Sequence, residues 1–92
     1  MTKLNIVFTQ NAWVEYLEWK QKDKAIEKRI GKIINDIVRH PFNGIGKPEP
    51  LKFNLLGLWS RKINNEHRIV YGISKNEIQI IQLKYHYDKD NL

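Results

Sequence analysis

The stretch Gly57-Leu58-Trp59-Ser60-Arg61-Lys62-Ile63, then Asn64-Asn65-Glu66, then His67-Arg68-Ile69-Val70-Tyr71-Gly72-Ile73 decides the fold. Apolar and polar residues alternate here at period two, and a three-residue polar connection separates the runs, which is the pattern of a β-hairpin. A third run, Ile78 to Tyr87, follows after Ser74-Lys75-Asn76-Glu77. Connections this short make the three strands an antiparallel meander. Upstream the period changes. Ile26, Ile30, Ile33, Ile34, Ile37 and Val38 recur at three- and four-residue spacing, the apolar face of a helix that starts after the N-cap candidate Asp23 and ends before Pro41. A first helix over about residues 10 to 20 has Ala12, Trp13, Tyr16 and Leu17 as its stripe, Thr9 as its cap, and Glu15 and Glu18 facing away. Leu4 to Phe8 reads as a first strand, and Leu51 to Phe53 as a short extended piece after a Pro/Gly cluster at 40–50. The expected fold class is α+β, with two N-terminal helices packed on one face of an antiparallel sheet of four or five strands.

Ninety-two residues are one small domain, spanning 1–92 with 88–92 as a short C-terminal tail. The absence of cysteine excludes a disulfide framework, a Cys-based zinc site and a thiol nucleophile, and fits a reducing cytoplasmic setting. Apolar runs such as Ile6-Val7-Phe8 fall far short of the roughly 18 residues of a membrane helix, so no membrane partner is expected. The net charge of +6 is unevenly placed. Lys20 to Lys52 holds nine Lys/Arg and four acids, five of the six net charges. A concentrated basic surface suits an anionic partner, either nucleic acid or an acidic protein.

Strand parity sorts the side chains by face. Ile69, Tyr71 and Ile73 form the face the helices must cover, with Ile81, Leu83 and Tyr85 as the matching side of the last strand. The open face then carries Arg68, Lys84 and His86, and a hairpin loop at 64–66 sets Lys62 opposite Arg68. Ile78 and Ile80 share the open-face parity, which calls for a partner there or a slip in register. Glu49 sits between Pro48 and Pro50, which hold its backbone extended and stiff, with Lys47 and Lys52 as cationic neighbours.

A carboxylate, two or three cations and a histidine are the minimal set for metal-free RNA cleavage. RNA carries its own nucleophile, the 2′-hydroxyl. The enzyme supplies a base, cations for the crowded phosphorane and an acid for the departing 5′-oxygen. Glu49, Arg68 and His86 can fill these roles. The histidines at 40, 67 and 86 lack metal-ligand spacing, and Asn43-Gly44-Ile45-Gly46-Lys47 lacks the spacing of a nucleotide-phosphate loop.

Trp13-Val14-Glu15-Tyr16-Leu17, Lys47-Pro48-Glu49-Pro50-Leu51-Lys52, Leu58-Trp59-Ser60-Arg61-Lys62-Ile63, Glu66-His67-Arg68-Ile69-Val70-Tyr71 and Tyr85-His86-Tyr87 together resemble the YoeB/Txe toxins of bacterial type II toxin–antitoxin systems, within the RelE/ParE superfamily. The resemblance covers about residues 3 to 87. It implies a RelE-like microbial RNase fold and a ribosome-dependent mRNA endonuclease that cuts message in the A site, inhibits translation and needs no cofactor. It assigns Glu49 as general base, Arg68 as phosphate clamp and His86 as general acid, with Lys47, Lys52, Arg61, Lys62 and Tyr87 contacting RNA or phosphate. Family members commonly have Arg where this chain has Lys62. The implied partners are mRNA, the 70S ribosome through its rRNA, a YefM/Phd-type antitoxin and a second copy of the chain. The alternatives are a ParE-like toxin that is not a nuclease and a catalytically weak RNA- or antitoxin-binding relative.

Overall fold

The computed structural model describes residues 4–52 and 57–85. In chain order the elements are β1 (Asn5–Phe8), α1 (Gln10–Lys22), α2 (Lys24–Arg39), β2 (Glu49–Pro50), β3 (Leu58–Lys62), β4 (Arg68–Ser74) and β5 (Glu77–Gln82). Thr9 caps α1 by accepting from the Ala12 amide at 3.1 Å. Asp23 both ends α1, its amide donating to the Trp19 carbonyl, and starts α2, its carboxylate accepting from the amides of Ala25 and Ile26. One residue therefore reverses the chain between the helices.

The sheet order is β1-β5-β4-β3-β2. β2 to β5 pair antiparallel, as the short connections dictate. β1 departs from the all-antiparallel expectation: it pairs parallel with β5, Asn5 opposite Glu77 through Phe8 opposite Ile80. Local turn chemistry constrains only consecutive strands, and both helices and three strands separate β1 from β5, so the long return sets the direction. β2 forms at Glu49–Pro50 rather than at 51–53. Pro50 is tolerated there because the strand is an edge.

The core lies between helices and sheet. Ala12, Trp19, Ile30, Ile33, Ile34 and Ile37 meet Ile63, Ile69, Tyr71, Ile78, Ile80 and Leu83. Burying each such isoleucine contributes about 1.5–3 kcal/mol. The α2 face is the one its periodicity predicts. The α1 face is rotated from the predicted stripe: Ala12 and Trp19 are buried, whereas Trp13 and Leu17 are exposed. Glu15 and Glu18 consequently reach the end of β5 rather than facing away, Glu15 accepting from the Leu83 amide and Glu18 from Lys84.

β5 corrects a second expectation. Tyr71 pairs with Ile80 but Val70 pairs with Gln82, so Ile81 is an extra residue in the ladder. That bulge reverses the parity. Ile78 and Ile80 are core, Ile81 packs on the opposite face with Leu51, Leu58 and Val70, and Leu83 is core again. Tyr85, expected inside, is 61% exposed. Among the described residues no helix is long and apolar enough to cross a membrane.

Candidate active site

Lys47, Glu49, Ser60, Lys62 and Arg68 line one cleft of about 140 Å³ on the face of the sheet opposite the helices. Strand register assembles it. Glu49 stands opposite Ser60, two residues along β3 is Lys62, and Lys62 stands opposite Arg68. These side chains share a face because alternate residues of a strand do. Arg68 is held from one side: its Nη1 donates to the carbonyls of Asn64 (2.9 Å), His67 (3.2 Å) and Asn65 (3.4 Å). Its Nε and Nη2 have no hydrogen-bond partner among the described residues, and neither do the charged groups of Lys47, Glu49 and Lys62. A carboxylate and three cations thus converge without neutralising one another, an arrangement fitted to a phosphodiester.

The loop that delivers Lys47 and Glu49 is built on Arg61. This residue was expected at the phosphate surface, and the structure overturns that: Arg61 is fully buried. Its neighbours Ser60 and Lys62 point into the cleft, so by parity it points the other way. All its donors are committed. Nε donates to the Tyr71 hydroxyl, Nη1 to Asp36 (2.6 Å) and the Ile45 carbonyl, and Nη2 to the carbonyls of His40 and Asn43. Tyr71 in turn donates to the Pro41 carbonyl at 2.9 Å. Burial would raise the Asp36 pKa. Hydrogen bonds from Arg61 and the Ile45 amide, with the Arg61 charge, outweigh it and hold the carboxyl below its ordinary value. Burial pushes the Tyr71 phenol up, with Arg61 opposing.

Two glycines let the loop approach. Gly44 has φ +120°, and a Cβ there would stand 2.0 Å from the Asp36 carboxylate. Gly46, at φ +81°, packs so closely on β3 that its carbonyl accepts from the Lys62 amide at 2.6 Å. Lys47 follows with φ +53°, a left-handed conformation costly for a residue with a side chain and one that clusters at functional sites.

Other expected site residues fall differently. Lys52 is exposed just beyond β2 and outside the cleft lining. Lys84, expected on the open face, instead pairs with Glu18 at 2.7 Å and lies over the Trp19 ring on the helix side, because β5 ends at Gln82 and strand alternation no longer governs the residues that follow. Its pKa is raised, first by the Glu18 hydrogen bond. His86, Tyr87 and the 88–92 tail lie outside the described residues. Sequence reasoning missed Ser60, a small polar residue in the cleft floor, and the Asp36–Arg61–Tyr71 frame. An acid three residues after Ile33 on the flank of an apolar helix face was the available signal for that frame.

Two helices on one face of a five-stranded sheet, with an open cationic cleft on the other, is an architecture shared with toxins of bacterial toxin–antitoxin pairs, and likeness in sequence narrows this to a family. The model of the YoeB-like toxin of bacterial type II toxin–antitoxin systems matches residues 8–87. A YoeB toxin of Synechocystis is 51% identical over 86 residues, 94% of this chain and 100% of its own. A YoeB/ParE toxin from Agrobacterium tumefaciens superposes with a TM-score of 0.90 at 40% identity, over 91% of this chain and 100% of its own. YoeB of Staphylococcus aureus, 46% identical over 94% of this chain and 100% of its own, superposes with TM-scores of 0.87 as a dimer and 0.84 in a heterotetrameric complex with YefM. The chain belongs to the YoeB family of toxins of type II toxin–antitoxin systems.

Proposed function

We propose that this toxin is a metal-independent endoribonuclease that cuts mRNA in the ribosomal A site and thereby inhibits translation in the cytoplasm. The observation that carries this reading is the convergence of Glu49, Lys47, Lys62 and Arg68 on one cleft. In the proposed mechanism Glu49 takes the proton from the 2′-hydroxyl as that oxygen attacks the adjacent phosphorus. Arg68 and Lys62 stabilise the charge on the phosphorane oxygens. His86 gives a proton to the 5′-oxygen as the P–O bond breaks, leaving a 2′,3′-cyclic phosphate and a 5′-hydroxyl. Acid–base assistance of this kind typically contributes about 10²–10⁴-fold. Arg68 suits the clamp because the loop carbonyls fix one nitrogen and leave the rest of the fork for phosphate. Lys47, Lys52 and Tyr87 position the RNA.

The partners proposed are the 70S ribosome, a YefM/Phd-type antitoxin and a second copy of the chain. The Staphylococcus aureus relative, solved both as a dimer and with YefM, supports the last two. The test is a cell-free translation reaction with one defined message, comparing wild type with Glu49→Gln and His86→Ala and mapping the RNA ends. Cuts within codons that depend on both residues are expected. An intact message with normal translation would overturn the reading in favour of a ParE-like or decayed toxin.

A further inference from the structure

Beyond the bulge, residues 83–85 leave regular strand geometry, and side chains take over most of their backbone hydrogen bonds. Leu83 gives its amide to Glu15 (2.7 Å) and takes a bond on its carbonyl from Trp19 Nε1 (2.8 Å). The carbonyl of Lys84 accepts from Gln82 Nε2 at 2.7 Å. At Tyr85 the amide donates to His67 Nδ1 at 2.8 Å, and the carbonyl accepts from the Arg68 amide at 2.9 Å. Tyr85 has φ +60°, a conformation that persists in a non-glycine residue only where its surroundings over-determine it. His67 is buried, 7% exposed, with Trp19 edge-on to its ring at 4.7 Å and the Tyr85 ring at 5.4 Å.

We propose that His67 is a positioning residue: through Nδ1 it latches Tyr85 beside Arg68 and so fixes the path of residues 83–85 next to the cleft. An amide can donate only to a bare nitrogen, so the latch requires neutral His67 with its proton on Nε2. Nε2 lies 3.5 Å from Glu66, an acceptor for that proton. Protonation of Nδ1 sets donor against donor and opens the latch. The charged and titratable groups around the ring are Glu66 on its own turn, Arg68, whose Nη1 bonds the His67 carbonyl, Lys84 over Trp19, and the Tyr85 phenol. Glu15 and Glu18 face the same segment from α1. The catalytic consequence rests on the nuclease reading. The latch itself does not.

Amide hydrogen exchange on the full chain, read by NMR, decides the latch. Comparison of wild type with His67→Asn, whose side-chain oxygen falls near the Nδ1 position, and His67→Leu separates the hydrogen bond from packing. The Tyr85 amide is expected to exchange roughly tenfold faster in His67→Leu, with His67→Asn near wild type and the β4 amides protected in all three. Equal Tyr85 protection in His67→Leu, or loss of protection in His67→Asn, overturns the latch. In the translation assay His67→Leu should lower the cleavage rate at saturating ribosomes about tenfold, with His67→Asn restoring it. Full cleavage by a His67→Leu protein whose Tyr85 is unlatched overturns the positioning role. If wild type itself fails to cut, the nuclease reading falls and the exchange result stands independently.

Discussion

Arg61 and Arg68 lie on adjacent strands one register step apart, and they have opposite lives. Arg61 faces the helices, is fully buried and gives every donor to Asp36, Tyr71 and three loop carbonyls. Arg68 faces the cleft, ties down one nitrogen and leaves the others toward Glu49, Lys47 and Lys62. The first region closes its charges on itself and shapes the loop, while the second leaves its charges open in the cleft. A basic residue's role here follows from the sheet face it occupies, not from its charge.

The widest separation between the two regions should appear when each loses one charge. Arg61→Met leaves the half-buried Asp36 carboxylate, the Tyr71 hydroxyl and three carbonyls without their donor and empties a fully buried site, and should cost about 3–5 kcal/mol in denaturant unfolding, whereas Arg68→Met should cost under about 1 kcal/mol. Equal losses would break the comparison. Glu49→Gln should do the reverse, lowering message cleavage by about 10²–10⁴-fold with an unchanged unfolding midpoint. Tyr71→Phe removes one hydroxyl from the frame and should cost about 1–2 kcal/mol. Lys62→Arg turns a point charge in the cleft into a fork and should raise cleavage a few-fold, about 2–10, without changing stability.

The smallest effect is in pH dependence. Asp36 has a depressed folded pKa, so its contribution is full above the ordinary carboxylate range and is lost as pH falls through the depressed value. Asp36→Asn should therefore flatten the acid side of the stability curve. Glu15 has the opposite sign: burial raises its pKa, against the Leu83 amide, so its contribution is present at low pH and lost as pH rises through the raised value. Glu15→Gln should gain at most about 1 kcal/mol at pH 7 relative to pH 4, read from urea midpoints.

Much of this was legible in advance. The Lys62–Arg68 pairing followed from a three-residue hairpin loop, and the isoleucine face of α2 from its period. The approach of Glu49 to that pair was legible only as a possibility, because its path depends on a loop folded over Arg61. Ile78, Ile80 and Ile81 were misplaced because one extra residue in the ladder is invisible to an alternation count yet exchanges the faces on its two sides, and Lys84 because β5 ends at Gln82, before it.

By itself the sequence determined the elements, their order and their caps: Thr9, Asp23, the period switch and the short turns are local signals, and local signals need no partner from afar. The tertiary structure alone decided the parallel seating of β1, the bulge at Ile81, the burial of Arg61 and the latch at Tyr85. Each depends on groups ten or more residues apart satisfying one another's hydrogen bonds or apolar surface, and that balance is struck only when helices and sheet close on a common core.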